Sequence, residues 1–248
     1  MTTTTAPHLP SASWSGERRF FTSMSFAILA AVLLGFSRSF YLHGFFPTHP
    51  RPTEAFFTLH GVVFTAWFVL LCAQALLIAN RRADLHRALG VAGAALAAVM
   101  VVVGMYGAVL AAARATGFVG IPVPGWAFLA IPLVDMLIFP AFVAMAVARR
   151  RDPQAHKRWM LIASIAILTP ACARWPVVRD IGNPLLFFFV ADLFFIPLLI
   201  RDLRTRGRLH PATAWGIGIV LASQPLRLAI SQTDGWHAFA SALIGVVT

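Results

Sequence analysis

Long apolar runs separated by short polar segments form the pattern of this chain. A helix that crosses a hydrocarbon core of about 30 Å needs about 20 residues at a rise of about 1.5 Å each. Seven runs approach or exceed this length, and they cover residues 20–41, 55–79, 88–113, 127–148, 159–173, 184–200 and 212–231. The pattern therefore predicts an all-α fold, a polytopic transmembrane bundle of about seven helices.

Composition supports a membrane protein and excludes other classes. Hydrophobic residues make up 59% of the 248 residues and charged residues only 12%. These values exclude a soluble enzyme, a disordered chain and a disulfide scaffold. Cys72 and Cys172 both fall in apolar runs and are expected to be small core residues. We expect three regions, a disordered cytoplasmic N-terminus (1–19), the transmembrane domain (20–231) and an extracytoplasmic tail (232–248).

The formal net charge of +11 is distributed unevenly between the two predicted sides of the membrane. Fourteen of the twenty lysines and arginines flank the loops on one side. The positive-inside rule then predicts a cytoplasmic N-terminus and an extracytoplasmic C-terminus in a cell inner (plasma) membrane. The lipid bilayer thus accounts for the basic charge, and no nucleic-acid partner is expected.

The three basic loops on the predicted cytoplasmic side resemble one another. They cover residues 81–86, 150–156 and 201–210, and each ends in a histidine that opens the next helix, namely His86, His156 and His210. This similarity suggests three repeated helical hairpins that follow one N-terminal helix. The alternative is convergence, because short basic loops look alike.

Several motifs carry a resemblance. They are the block His-Lys-Arg-Trp-Met at 156–160 with Pro170 and Arg174, Leu-His-Arg at 85–87, and Ser-Gln-Pro-Leu-Arg at 223–227. Together they resemble a family of bacterial multi-pass integral-membrane proteins over roughly residues 54 to 231. The resemblance implies the multi-pass topology, and it implies no activity, because none is established for that family.

Three ionisable residues inside the predicted spans are candidates for function, because buried charges are costly in lipid. His60, Asp135 and Asp192 lie about 9, 13 and 12 Å below the predicted outer boundary, at about 1.5 Å per residue. The candidate ligand-binding set combines them with neighbouring polar and aromatic residues. It comprises His60, Trp67, Tyr106, Asp135, Arg174, Asp192, Gln224 and Arg227.

Three interpretations of this polar layer remain open. In the first, the two aspartates neutralise Arg174 and Arg227 in a structural ion-pair layer. In the second, His60, Asp135 and Asp192 converge on a cavity and hold a divalent metal, while the arginines recognise an anionic group. In the third, the same residues form a proton or substrate relay without metal.

Haem b is a further alternative, since a bis-histidine site needs two histidines at matching depth on facing helices. His86, His156 and His210 share one depth at the predicted cytoplasmic helix starts, so a haem or metal site there is an alternative. The competing interpretation is that helix-start histidines face anionic lipid headgroups. The cofactor therefore stays unknown, and no cofactor is the favoured expectation.

The sequence contains no soluble catalytic or nucleotide-binding motif. We therefore predict a polar cavity in the outer half of the bundle that binds a small or amphipathic ligand, for transport or sensing. The first alternative is a membrane-embedded metal or haem enzyme, either an oxidoreductase or a hydrolase. The second alternative is a structural or assembly partner of a membrane complex, and a homo-oligomer is compatible with each of these functions.

Overall fold

The computed structural model describes residues 11–49, 54–115, 117–118, 121 and 123–248, which form helices and turns without any strand. The longer helices are α1 (Ser11–Gly35), α2 (Ala55–Ala79), α3 (Ala83–Ala112), α5 (Ala130–Ala148), α6 (Pro153–Ala166), α10 (Ile196–Arg206), α11 (Pro211–Ile230) and α12 (Asp234–Ile244). The shorter ones are α4 (Gly125–Phe128), α7 (Thr169–Cys172), α8 (Pro176–Ile181) and α9 (Pro184–Asp192). The predicted all-α bundle is confirmed.

Six helical segments of the described chain are long and apolar enough to cross a membrane. They are Gly16–Gly35, Ala55–Ala79, Ala83–Ala112, Gly125–Ala148, Pro184–Arg206 and Pro211–Ile230. Large apolar side chains on these segments face outward, including Val91, which is 75% exposed, and Leu137, which is 62% exposed. Such side chains are stable on an outer surface only when lipid covers them. The protein is an integral membrane protein with multiple spans.

The fifth predicted run, residues 159–173, is not a single helix, which corrects the sequence interpretation. Helix α6 ends at Ala166 and the short helix α7 begins at Thr169. Pro170 explains this break, because proline has no N–H to donate to the carbonyl of Ala166, four residues earlier. The chain then continues in the same direction through α7.

The broken segment α6–α7 nevertheless lies along α1 from Glu17 to Gly35. At one end, Lys157 of α6 forms an ion pair with Glu17 of α1. At the other end, Gly35 of α1 meets the backbone of Ala171, so closely that a Cβ atom on Gly35 would collide with the Ala171 carbonyl. Seven segments therefore traverse the bundle, and six of them satisfy the length and hydropathy of a single spanning helix.

The bundle has two distinct ends. The arginine-rich end contains the start of α1 and the loops that join α2 to α3, α5 to α6 and α10 to α11. The opposite end contains a π-helical turn at Ser37–Tyr41, a 3-10 turn at His43–Phe45, and helices α4, α7, α8 and α12. Three helix–loop–helix units therefore turn at the arginine-rich end.

Helices lie near both ends of the described chain. Helix α1 begins at Ser11, so residues 11–19, expected to be disordered, are helical, while residues 1–10 lie outside the described residues. The C-terminal tail contains α12, which packs against the opposite end of the bundle. The indole N–H of Trp236 donates to the carbonyl of Trp126 at 2.8 Å, and Ala240 is fully buried.

The core lies where α2, α5 and α6 meet. Trp67 of α2 and Phe139 of α5 pack edge to face with ring centroids 4.9 Å apart. Cys72 and Cys172 are free and buried, as the sequence predicts. This packing determines which faces of α5 and α11 turn inward, and it thereby positions Asp135 of α5 and Arg227 of α11.

Candidate functional site

Asp135 of α5 and Arg227 of α11 form a buried ion pair in the opposite half of the bundle. The guanidinium Nη1 donates to Asp135 Oδ1 at 2.6 Å, and both side chains are at most 5% exposed. Arg227 also donates from Nη2 to Ser223 Oγ at 2.7 Å, and its guanidinium lies 5.3 Å from the ring centroid of Phe188. Its charge is therefore compensated inside the protein, as the ion-pair interpretation expects for this residue.

Asp192 has a different environment. It ends α9, just before the 3-10 turn Leu193–Phe195 that interrupts the spanning segment. The amide Nε2 of Gln224 donates to both carboxylate oxygens of Asp192 at 3.0 Å. The carboxylate is half-buried, and no cation within the described chain forms an ion pair with it. Asp192 is thus a carboxylate in a spanning segment with a neutral partner.

His60 lies between α2 and α3 rather than beside the aspartates. Its ring stacks on Phe64 at a centroid distance of 4.2 Å. Its buried Nδ1 has no hydrogen-bond partner within the described chain. This nitrogen faces Gly107, and a Cβ atom added to Gly107 would lie only 3.1 Å from it. Gly107 therefore provides the space that the imidazole occupies. Aromatic rings and a glycine surround His60, and no carboxylate does.

Three other predicted site residues lie apart from this layer. Trp67 is buried and donates from Nε1 to Ser164 Oγ at 3.1 Å. Tyr106 is 48% exposed and packs edge to face on Phe56. Arg174 donates to the carbonyl of Pro170 at 2.6 Å and contacts neither aspartate. The structure brings together Asp135 with Arg227 and Asp192 with Gln224, and it separates the remaining predicted members.

The predicted metal site at His60, Asp135 and Asp192 is not assembled. Within the described part of the chain, no group of three His, Cys, Asp or Glu side chains lies close enough to hold a metal ion. The physical reason is that each residue faces a different neighbour: His60 faces α3, Asp135 binds Arg227, and Asp192 binds Gln224. The sequence predicts a common depth for the three residues, but their side chains face different neighbours.

Two of the three histidines at the arginine-rich end do meet. The rings of His86 and His156 lie edge to face with centroids 6.1 Å apart, and His156 Nδ1 bonds the carbonyl of Ala146 at 2.9 Å. His210 instead caps α11, because its Nδ1 accepts from the N–H of Ala212 at 3.0 Å. The pair offers two imidazoles, fewer than the three or four protein ligands of a typical zinc site.

A buried charge network at the arginine-rich end was missed by the sequence interpretation. Arg158 of α6 donates from Nε to Asp202 of α10 at 3.1 Å, and its Nη2 bonds the same carboxylate. Asp202 also accepts from the N–H of His210 at 3.0 Å and from the hydroxyl of Thr213 at 2.6 Å. The network joins α6, α10 and α11. An acidic residue recurs in each of the three similar loops, and this recurrence was the available signal.

Two shallow grooves occur on the surface of the described chain. One, of about 520 Å³, follows the outer face of α11 along Ala214, Gly218 and Ala222. The other, of about 470 Å³, lies at the opposite end between the loop that follows α3 and helix α12, and Arg114 and Trp126 line it. None of the predicted site residues lines either groove.

Comparisons with family models, with curated proteins and with solved structures gave no match to this chain. The described bundle, with its six long apolar helices, is that of a multi-pass integral membrane protein.

Proposed function

We propose that the protein binds a small or amphipathic ligand in the outer half of the bundle, with Asp192 as the anchoring carboxylate, in transport or sensing. The observation that carries this proposal is the neutral partner of Asp192. Arg227 lies nearby but forms its ion pair with Asp135, so within the described chain Asp192 has no ion-pair partner, in a region where ionised groups are costly. A ligand with a protonated amine or another cationic head would compensate that charge.

The position of Asp192 supports access from outside the core. Asp135 is only 3% exposed, whereas Asp192 is half-buried at the interruption between α9 and α10. A carboxylate at a break in a spanning helix can exchange one hydrogen-bond partner for another without unfolding the helix. Gln224 would hold the carboxylate in position while the ligand binds its second face.

The ligand proposal is tested by replacing Asp192 with asparagine and measuring the binding of tetraphenylphosphonium, a hydrophobic cation, by tryptophan fluorescence in detergent. We expect the wild type to bind and Asp192→Asn to bind about 10- to 100-fold more weakly, since opposite charges about 6 Å apart attract by about 2–3 kcal/mol at the effective dielectric constant near a protein surface. Asp234→Asn is the matched control, because Asp234 is exposed at the start of α12. Equal affinity in wild type and Asp192→Asn, or no binding by the wild type, would reject the proposal.

We also propose that the arginine-rich end and the N-terminus face the cytoplasm, because Lys and Arg accumulate in cytoplasmic loops. This orientation places Asp192 and Asp135 in the extracytoplasmic half of the membrane. Ligands would then reach Asp192 from outside the cell or from the outer leaflet.

The orientation is tested with alkaline phosphatase, which folds actively only outside the cytoplasm. Fused after Thr248, it is expected to be active, and inserted in the loop between Arg149 and Arg151 it is expected to be inactive. A green fluorescent protein fused at the same two positions should give the opposite result, because it becomes fluorescent in the cytoplasm. The reverse pattern would show that the bundle is inserted the other way.

A further inference from the structure

The junction of α1 and α7 brings two arginines, Arg38 and Arg174, to the opposite end of the bundle. Gly35 contacts the backbone of Ala171, and both helices run toward this end. Arg38 and Arg174 follow these two contact residues by about one helical turn each. Arg38 lies in the π-helical turn that follows α1 and Arg174 in the turn that follows α7, so both arginines lie just beyond the point of contact.

Each guanidinium is held against an aromatic ring. The guanidinium carbon of Arg174 lies 4.6 Å from the ring centroid of Phe36, a residue in the same segment as Arg38. The guanidinium carbon of Arg38 lies 5.4 Å from the ring centroid of Phe46. A guanidinium that stacks on a ring loses conformational freedom and keeps its edge open to a second partner. In Arg174 one N–H of Nη1 already donates to the carbonyl of Pro170, which leaves its other N–H groups for an anion. The stacking therefore orders both donors before any anion arrives.

No carboxylate compensates these two charges. The chain has nine Asp and Glu residues, and within the described chain none of them forms an ion pair with Arg38 or Arg174. The neighbouring Arg179 differs, since its guanidinium bonds Asp180 at 2.8 Å. The described residues therefore provide no ion-pair partner for these two ordered arginines.

The electrostatic field at the junction is positive beyond these two residues. His49 lies in the loop that follows the 3-10 turn, and burial lowers its pKa. Arg179, Arg38 and Arg174 lower that pKa further, and His43 acts in the same direction. Three arginines thus lie close enough to act on one imidazole, and an anion bound near it would be attracted by all of them.

We propose that Arg38 and Arg174 form a binding site for a phosphate group, either on the headgroup of an anionic phospholipid or as free phosphate. Guanidinium groups bind phosphate oxygens through two parallel N–H bonds, a geometry that the compact ammonium group of lysine cannot supply. The site is separate from Asp192, whose ligand would be cationic. It lies at the membrane interface at the opposite end of the bundle, where a phospholipid headgroup and a free phosphate ion both have access.

The test compares two phosphate sources on protein purified in detergent. Native mass spectrometry measures retention of phosphatidylglycerol against phosphatidylcholine, and thermal melting measures stabilisation by inorganic phosphate against chloride at equal ionic strength. We expect the double variant Arg38→Gln, Arg174→Gln to lose about tenfold or more in affinity for the source that the wild type binds. The matched control Arg179→Gln should stay within about twofold of the wild type, since Asp180 already pairs with that arginine.

Each outcome decides the proposal. Selective retention of phosphatidylglycerol without stabilisation by phosphate identifies a lipid headgroup site, and stabilisation by phosphate identifies a site for the phosphate group itself. The proposal fails if the wild type binds neither source, if the double variant binds as the wild type does, or if Arg179→Gln loses as much affinity. Arg38 is exposed, so Arg38→Gln alone supplies the same comparison if the double variant does not fold.

Discussion

Replacing Asp202 with alanine is expected to lower the free energy of unfolding by about 3–5 kcal/mol, because it leaves Arg158 buried without a counter-charge. Asp202 is fully buried and Arg158 is 2% exposed, so water cannot replace the lost carboxylate. The N–H of His210 and the hydroxyl of Thr213 lose their acceptor as well. Thermal melting in detergent and the yield of monodisperse protein measure this loss.

Asp152→Ala is the matched control for Asp202→Ala. Asp152 occupies the corresponding loop between α5 and α6, where its exposed carboxylate caps α6 by accepting from the N–H of Gln154 at 3.0 Å. Loss of an N-cap costs about 1 kcal/mol. Asp202→Ala should therefore melt well below Asp152→Ala, and similar melting temperatures would show that Arg158 does not depend on its partner.

A double variant separates the unpaired charge from the lost packing. Arg158→Met combined with Asp202→Leu removes both charges and keeps much of the side-chain volume. Because hydrophobic replacement of a buried ion pair is often neutral, this variant should recover most of the stability that Asp202→Ala loses. If the double variant is as unstable as the single one, hydrogen bonding by Asp202 is more important than its charge.

The spans could be predicted from sequence because one physical quantity, the thickness of the hydrocarbon core, acts on every helix. The second run was predicted with the same bounds that the structure gives to α2. The break between α6 and α7 was less accessible, because the apolar pattern continues across it while Pro170 removes one backbone hydrogen bond. A hydropathy pattern responds to side chains, and the break is a property of the backbone.

The spacing along the chain predicts a depth for each candidate site residue, but it cannot predict the direction in which each side chain points. A rise of about 1.5 Å per residue places His60, Asp135 and Asp192 in one layer, and nothing in that spacing determines how each helix is rotated about its axis. The rotation follows from packing, which turns His60 toward Gly107 and Asp135 toward Arg227. Pairing of Arg227 with an aspartate was one of the open interpretations, and the structure identifies Asp135 as that partner.

The Asp202 network was missed because loop charges were interpreted only as signals of topology. Arg158 and Asp202 are 44 residues apart, and their burial depends on how α6, α10 and α11 pack together. The similar loops did contain a usable clue, since Asp84, Asp152 and Asp202 recur in them. These residues have different roles, because Asp84 pairs with the exposed Arg82 whereas Asp152 caps α6. The recurrence alone could not distinguish a cap from a buried partner.

In the other half of the bundle, Asp135→Asn is expected to lower the free energy of unfolding by about 3–5 kcal/mol relative to the wild type. Arg227→Gln is expected to lower it by less. The asymmetry follows from proton chemistry. A buried carboxylate without its partner can take up a proton and become neutral, whereas a guanidinium cannot lose its charge in a protein. Asp135→Asn leaves Arg227 charged, while Arg227→Gln leaves Asp135 free to become a neutral acid.

The pH dependence of Arg227→Gln tests this explanation directly. The neutral acid is favoured at low pH, so the difference in melting temperature between wild type and Arg227→Gln should shrink as the pH falls. Asp135→Asn has no such carboxylate, and its deficit should change little over the same range. Asp180→Asn is the control for removing a carboxylate from an exposed pair, and it should melt close to the wild type. A larger deficit for Arg227→Gln than for Asp135→Asn at every pH would contradict the asymmetry and would show that the bonds from Arg227 to Ser223 and Ile131 stabilise the bundle more than its charge pairing does.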